Sequence, residues 1–289
     1  MASTSEWIAG ARPRTLPAAA APVFIGAGAA AHIDHFNPLL TLLALALAVA
    51  LQIGVNYAND YSDGVKGTDL DRVGPLRLTA AGLATPQAVR TAAFTAFGIS
   101  AILGVIIVAL SGHWWLIAVG VACIAAAWYY TGGKSPYGYA GLGEVGVFVF
   151  FGLVATLGTT YIQADTITWP ATLGAVGVGL IACAILMANN IRDIPTDFMS
   201  GKRTLAVRLG EYRARKIYVA MIWIPLALAI VTAFWAPWTL ATLVLLIPAS
   251  ILALSVRIGV RGKLLIPVLA ATGLYELAYG VLFGVGLAL

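Results

Sequence analysis

Nine apolar runs of about 18 to 24 residues follow one another along the chain, separated by short polar stretches. They fall at about 15–33, 38–58, 88–111, 114–131, 142–162, 170–190, 213–235, 237–256 and 264–287. A helix rises ~1.5 Å per residue, so about 20 residues cross ~30 Å of hydrocarbon. Hydrocarbon offers backbone groups no partner, so runs of this length close their hydrogen bonds internally as helices. The pattern predicts an all-α membrane protein, a single domain over 1–289 with nine transmembrane helices in one bundle. Two runs do not stop cleanly. The second turns polar at Gln52 and Asn56 and continues as NYANDYSDGVKGTD to Asp69; the sixth breaks at Asn189 and Asn190 and continues as NNIRDIPTDFMSGKRTLAVRLG to Gly210.

Composition agrees with the pattern. With 61% hydrophobic residues, 10% charged residues and a mean hydropathy of +0.92, the chain is too apolar for a soluble globular domain. Sorting the basic residues adds a direction. If nine spans alternate sides, all 17 Lys and Arg fall on the side of the N-terminus, from Arg12 and Arg14 through Lys134 to Arg261 and Lys263. The opposite loops hold only His32, Asp34, His35, His113 and Asp165. The positive-inside rule then places the N-terminus in the cytoplasm and the C-terminus outside, the orientation expected of a bacterial plasma-membrane protein. The net charge of +5 is this bias, and no basic stripe of soluble character points to nucleic acid. Met1–Ala11 carries Glu6 and no positive n-region, so no cleaved signal peptide is expected. Cys123 and Cys183 each fall inside an apolar run and read as small buried hydrophobes.

The candidate chemistry sits where the two runs turn polar. Asp60, Asp63, Asp69 and Asp71 lie within twelve residues of one another, a third of the chain's twelve acidic residues. Asn56 with Asp60, and Asn59 with Asp63, are four residues apart, so continuing the helix by a turn stacks each pair. Gly64 and Gly67 then permit the turn out. Asp193 and Asp197 repeat the spacing, with Pro195 between them suggesting a helix that restarts near Asp193. Acids at a helix C-terminus oppose its dipole, which argues for a purpose. Both clusters follow even-numbered runs and face the same side. Facing carboxylates repel at low effective dielectric, so the pattern predicts divalent metal: Mg2+, held by Asn56, Asp60, Asp63, Asp193 and Asp197 directly or through water. Lys66, Lys134, Lys202 and Arg203 are then the cations for the oxygens of a diphosphate. A diphosphate leaving a lipid chain beside an apolar chamber among the helices makes the substrate a prenyl diphosphate.

These motifs resemble the UbiA superfamily of intramembrane aromatic prenyltransferases, and within it the 1,4-dihydroxy-2-naphthoate polyprenyltransferase (MenA) family. ARPRTLP, NYANDYSDGVKGTD with RVGPLRLTAAG, YTGGKSPYGYAGLGE and NNIRDIPTDFMSGKRTLAVRLG carry the resemblance over nearly the whole chain. It departs from the superfamily's NDxxDxxxD in having five residues between Asp63 and Asp69. The resemblance implies a UbiA-like bundle around a central apolar chamber and Mg2+-dependent transfer of a polyprenyl group to 1,4-dihydroxy-2-naphthoate, with loss of CO2, toward demethylmenaquinone. It implies that Lys134 occupies the place of the superfamily's diphosphate-binding basic residue. Arg192 or Tyr139 is the expected contact of the naphthoate. The same diphosphate site would serve another acceptor, such as 4-hydroxybenzoate, haem, a chlorophyllide or a phosphoribosyl donor. A cation-coupled transporter is the reading from another class, with Glu276 the ionisable residue deepest in a span, read as a hydrogen-bonded packing residue or a substrate contact.

Overall fold

The structure, a computed structural model, describes residues 2–68 and 76–289; Asp69, Asp71 and Arg72 lie outside the described residues. Every regular element among the described residues is helical. A short α1 (Thr4–Gly10) precedes α2 (Pro17–Ala31), α3 (Pro38–Lys66), α4 (Pro86–Ser111) and α5 (Leu116–Tyr129). Then follow α6 (Gly143–Ala164), α7 (Trp169–Met199), the single turn α8 (Leu205–Leu209), α9 (Glu211–Thr232), α10 (Pro237–Arg257) and α11 (Gly262–Ala288). Seven of these, α3, α4, α6, α7, α9, α10 and α11, are long and apolar enough to cross a membrane. The first and fourth predicted spans are shorter apolar helices, α2 of 15 residues and α5 of 14.

Local chemistry sets the ends of the long helices. Asn37, Thr85 and Thr168 cap α3, α4 and α7 by accepting the amides of Leu40, Ala88 and Ala171, and a proline stands at the first or second helical position of each. Gly67 and Gly112 end α3 and α4 in the left-handed conformation. Two expectations change here. α3 runs two turns past the apolar run, to Lys66, and α7 passes without a break through Pro195 to Met199. A helix already packed along most of its length tolerates the one backbone bond that the proline removes.

The two halves of the bundle pack differently. α7 lies at the centre, against α2, α6, α9 and α11. Behind it Tyr218, Ile222, Tyr275, Tyr279 and Phe283 fill the space between α9 and α11. α2 and α11 touch through small residues: a Cβ on Gly280 would lie 2.7 Å from the Ala21 backbone. In the first half, α2 to α6 enclose a cavity of about 430 Å³. A π-helical stretch, Phe148–Val154, shapes one wall. There Gly152 rests on Gly179 of α7 while Phe150, Phe151 and Val154 line the cavity. The residues that line the chamber come from α2 to α6 and the loop between α5 and α6.

Candidate active site

The cavity is apolar along its length and turns polar at one end, where Gln52, Asn56, Asn59, Tyr130 and Tyr137 line it. Tyr130 and Tyr137 meet edge to face at 5.4 Å, and burial pushes the Tyr137 phenol up to about 12, which keeps it neutral. Asn59 accepts the Thr131 hydroxyl at 2.8 Å. One helical turn on from Asn59 lies Asp63, and the polar residues of four segments converge on it.

Asp63 is 3% exposed. Its Oδ1 accepts the Tyr139 hydroxyl at 2.5 Å and lies 3.6 Å from Lys202 Nζ; Arg77 Nη2 stands 3.5 Å from Oδ2. The Tyr139 ring carries two ammonium groups, Lys202 at 4.5 Å and Lys66 at 4.9 Å from its centroid. Lys66 also donates to the Thr131 carbonyl at 2.6 Å. Backbone bonds fix the approach of the second motif. Past α7 the chain turns at Gly201, whose φ of 78° suits glycine, and the Lys202 amide returns to the Asp197 carbonyl at 2.8 Å. The next amide, that of Arg203, donates to the Tyr139 carbonyl at 2.8 Å, and its guanidinium lies over Phe198. The Gly-Lys-Arg sequence is thereby stitched to the loop that carries Tyr139, with Lys202 turned inward and Arg203 outward.

The other predicted ligands have different partners. Asn56 donates to the Ala11 carbonyl at 2.8 Å and to the Thr15 hydroxyl at 2.9 Å, and Gln52 donates to its Oδ1. It holds the ARPRT segment against α3. Asp60 accepts the backbone amides of Leu78 at 2.7 Å and Thr79 at 2.9 Å. Asp193 is paired with Arg192, whose Nε and Nη2 reach its two oxygens at 2.6 and 2.7 Å, and Asn189 accepts from the same guanidinium at 2.8 Å. Arg192 is thus spent on its neighbouring carboxylate. Asp197 is buried beside the turn it closes. Lys134 is exposed and has no polar partner among the described residues. Glu276 is fully buried, and neither of its carboxyl oxygens has a hydrogen-bond partner among the described residues.

The charge argument changes accordingly. Two of these carboxylates have cations of the chain beside them: Asp63 has Arg77 and Lys202, and Asp193 has Arg192. Among the described residues, three cations gather at Asp63: Arg77, Lys202 and Lys66. Among the described residues, cations therefore gather at the polar end of an apolar chamber, a setting for an anionic head on an apolar tail. Arg77 was overlooked in the sequence, where it reads as one more loop cation. Its separation from Asp63 along the chain gives no sign of the contact.

Comparison with known proteins gives the family. The description "UbiA prenyltransferase family" matches residues 19–263. A "1,4-dihydroxy-2-naphthoate octaprenyltransferase" of Mycobacterium tuberculosis is 53% identical over 281 residues, covering 97% of this chain and 96% of the relative. The Escherichia coli protein of the same description is 43% identical over 226 residues, 76% of this chain and 73% of its own length. A UbiA homologue from Archaeoglobus fulgidus, solved bound to DMAPP and Mg2+, shares the fold at 14% identity, with a TM-score of 0.67 over 98% of this chain and 99% of the other. With a family match over most of its length and these relatives, the chain belongs to the UbiA prenyltransferase family.

Proposed function

We propose that this protein transfers a polyprenyl group from its diphosphate to 1,4-dihydroxy-2-naphthoate with loss of CO2; its relatives are described as 1,4-dihydroxy-2-naphthoate octaprenyltransferases. The observation that carries the reading is the cationic cluster of Arg77, Lys202 and Lys66 at the polar end of the apolar chamber. Diphosphate binds there and the prenyl tail lies along α2 to α6. Exposed Lys134 reaches the outer phosphate oxygens and Arg203 flanks them. When the allylic C–O bond breaks, its electron pair leaves with the diphosphate, and the lysines and Arg77 stabilise that charge. The chamber keeps water from the allylic carbon. The electron-rich ring carbon that bears the carboxylate bonds to that carbon. Departure of CO2 returns an electron pair to the ring, giving a prenylated dihydroxynaphthalene whose oxidised form is demethylmenaquinone.

The donor set suits Mg2+ as the resident metal. Among the described residues no three His, Cys, Asp or Glu side chains converge as a cage. Mg2+ does not require one, since it takes one or two carboxylates with water and substrate phosphate. Asp63 on one side and Asp193 and Asp197 on the other are the carboxylates that would hold it, and its charge would there help offset that of the departing diphosphate. Tyr139 holds Asp63 in place and, through it, the spacing of the two lysines. These residues lie on the cytoplasmic side of the bacterial plasma membrane, by the charge bias of the loops.

The test is Mg2+-dependent release of diphosphate by the purified protein, with the prenylated naphthalene identified by mass spectrometry. Asp63→Asn is expected to lower turnover at least ~100-fold while the protein stays folded in detergent. Near-normal turnover in that variant would overturn the assignment of Asp63.

A further inference from the structure

We propose that Asp60 is a positioning residue, which sets the loop that aims Arg77 at Asp63 and stays on that loop when metal and diphosphate bind. The inference rests on the reading of Asp63 as a metal-holding carboxylate beside the diphosphate site, and it removes Asp60 from the metal ligands expected from the sequence. Asp60 is 1% exposed, and both its oxygens accept consecutive backbone amides, Leu78 at 2.7 Å and Thr79 at 2.9 Å. Those amides open a compact turn in which the Ala81 amide returns to the Arg77 carbonyl and the Leu83 amide to the Leu78 carbonyl. A carboxylate on the free amides at the start of such a turn satisfies donors that have no partner within it.

The turn is held on its other sides as well. Leu78 is fully buried in a cluster with Tyr57, Val89 and Phe97. Gly64, one turn after Asp60, makes room for Thr79: a Cβ there would lie 2.5 Å from the Thr79 methyl group. Arg77 immediately precedes the two bound amides, and its guanidinium reaches Asp63 Oδ2 at 3.5 Å. Asp63, three residues beyond Asp60, looks instead toward Tyr139 and Lys202. The neighbouring aspartates thus divide the work, one holding backbone and the other facing the cationic cluster. If Asp60 moved to a metal ion, two consecutive amides would lose their acceptor, and Arg77 would lose its fixed start.

The experiment uses the full chain in detergent. Mn2+ binding is read by electron paramagnetic resonance with inorganic diphosphate present, alongside kinetics with prenyl diphosphate and Mg2+. Asp60→Asn keeps one acceptor and removes the charge. It is expected to bind Mn2+ within about twofold of wild type, whereas Asp63→Asn loses at least about tenfold. The KM for prenyl diphosphate rises about tenfold in Asp60→Asn, with a smaller fall in kcat. In an Arg77→Ala background the same substitution adds nothing further to KM, because Asp60 acts through Arg77. Loss of Mn2+ affinity matching that of Asp63→Asn, or multiplying effects of Asp60→Asn and Arg77→Ala, overturns the proposal. Amide hydrogen exchange of Leu78 and Thr79 in the wild type covers the case of a variant that does not fold. Their protection is expected to persist on loading with Mn2+ and diphosphate, and its loss would place Asp60 on the metal. A wild-type protein that binds no Mn2+ with diphosphate counts against the metal–diphosphate reading itself, while the double-substitution cycle still decides the role of Asp60.

Discussion

Tyr139 joins more of the site than any carboxylate does. Its hydroxyl donates to Asp63, its ring carries Lys66 and Lys202, and its carbonyl accepts the Arg203 amide. Sequence reasoning offered it as a contact of the naphthoate; the structure gives its hydroxyl to Asp63. A hydrogen bond to a charged group contributes about 1.5–3 kcal/mol. Tyr139→Phe is therefore expected to lower kcat/KM about 10- to 100-fold, and steady-state kinetics with a folded variant checks it. The residue-level lesson lies in α3. Helical spacing correctly stacks Asn56 on Asp60 and Asn59 on Asp63, but it cannot say what each stack faces. Both asparagines line the chamber, but Asn56 and Asp60 bond the backbone of the Ala11 segment and of the loop at Leu78, whereas Asn59 and Asp63 meet Thr131 and the cations. The neighbours come from segments far away in sequence, which is why the partners of Asn56 and Arg77 were not legible.

At the scale of elements, the glycines separate into those that hold helices together and those that leave space. A Cβ on Gly280 would press on the Ala21 backbone where α2 and α11 meet, whereas one on Gly158, in the chamber wall, would meet nothing within 4 Å. Gly280→Ala is expected to destabilise the fold by about 1–3 kcal/mol. Gly158→Ala should stay within about 0.5 kcal/mol of wild type, and unfolding in detergent compares the two. The turn at Tyr137 carries a pH effect. Its phenol sits at about 12, above the ordinary value of 10.0, because burial disfavours the charged form. The stability due to its neutral form is complete below the unfolded value and is lost as pH rises from 10.0 toward about 12. Tyr137→Phe is expected to move the alkaline loss of helicity to higher pH, which circular dichroism can follow.

For the molecule as a whole, the orientation expected from nine alternating spans, with the cations on the cytoplasmic side, has a direct test. A cysteine introduced at exposed Lys134 is expected to react with an impermeant maleimide in inside-out vesicles and not in intact cells. Cys183 is buried and gives little background. The opposite labelling would reverse the orientation while leaving the site intact. The sequence by itself determined that the chain is helical with long apolar segments, roughly where those segments fall, and which two helix ends carry the acids, because hydrophobic length and helical spacing are local properties. It also carried the family, since the motifs are contiguous. Only the tertiary structure decided that the chamber belongs to α2 through α6, that two of the carboxylates have cations of the chain beside them, and that Asp60 holds a loop. Charge pairing and cavity shape depend on which distant segments meet, and one helical face can serve a metal, a lysine or a backbone amide equally well until its neighbour is known.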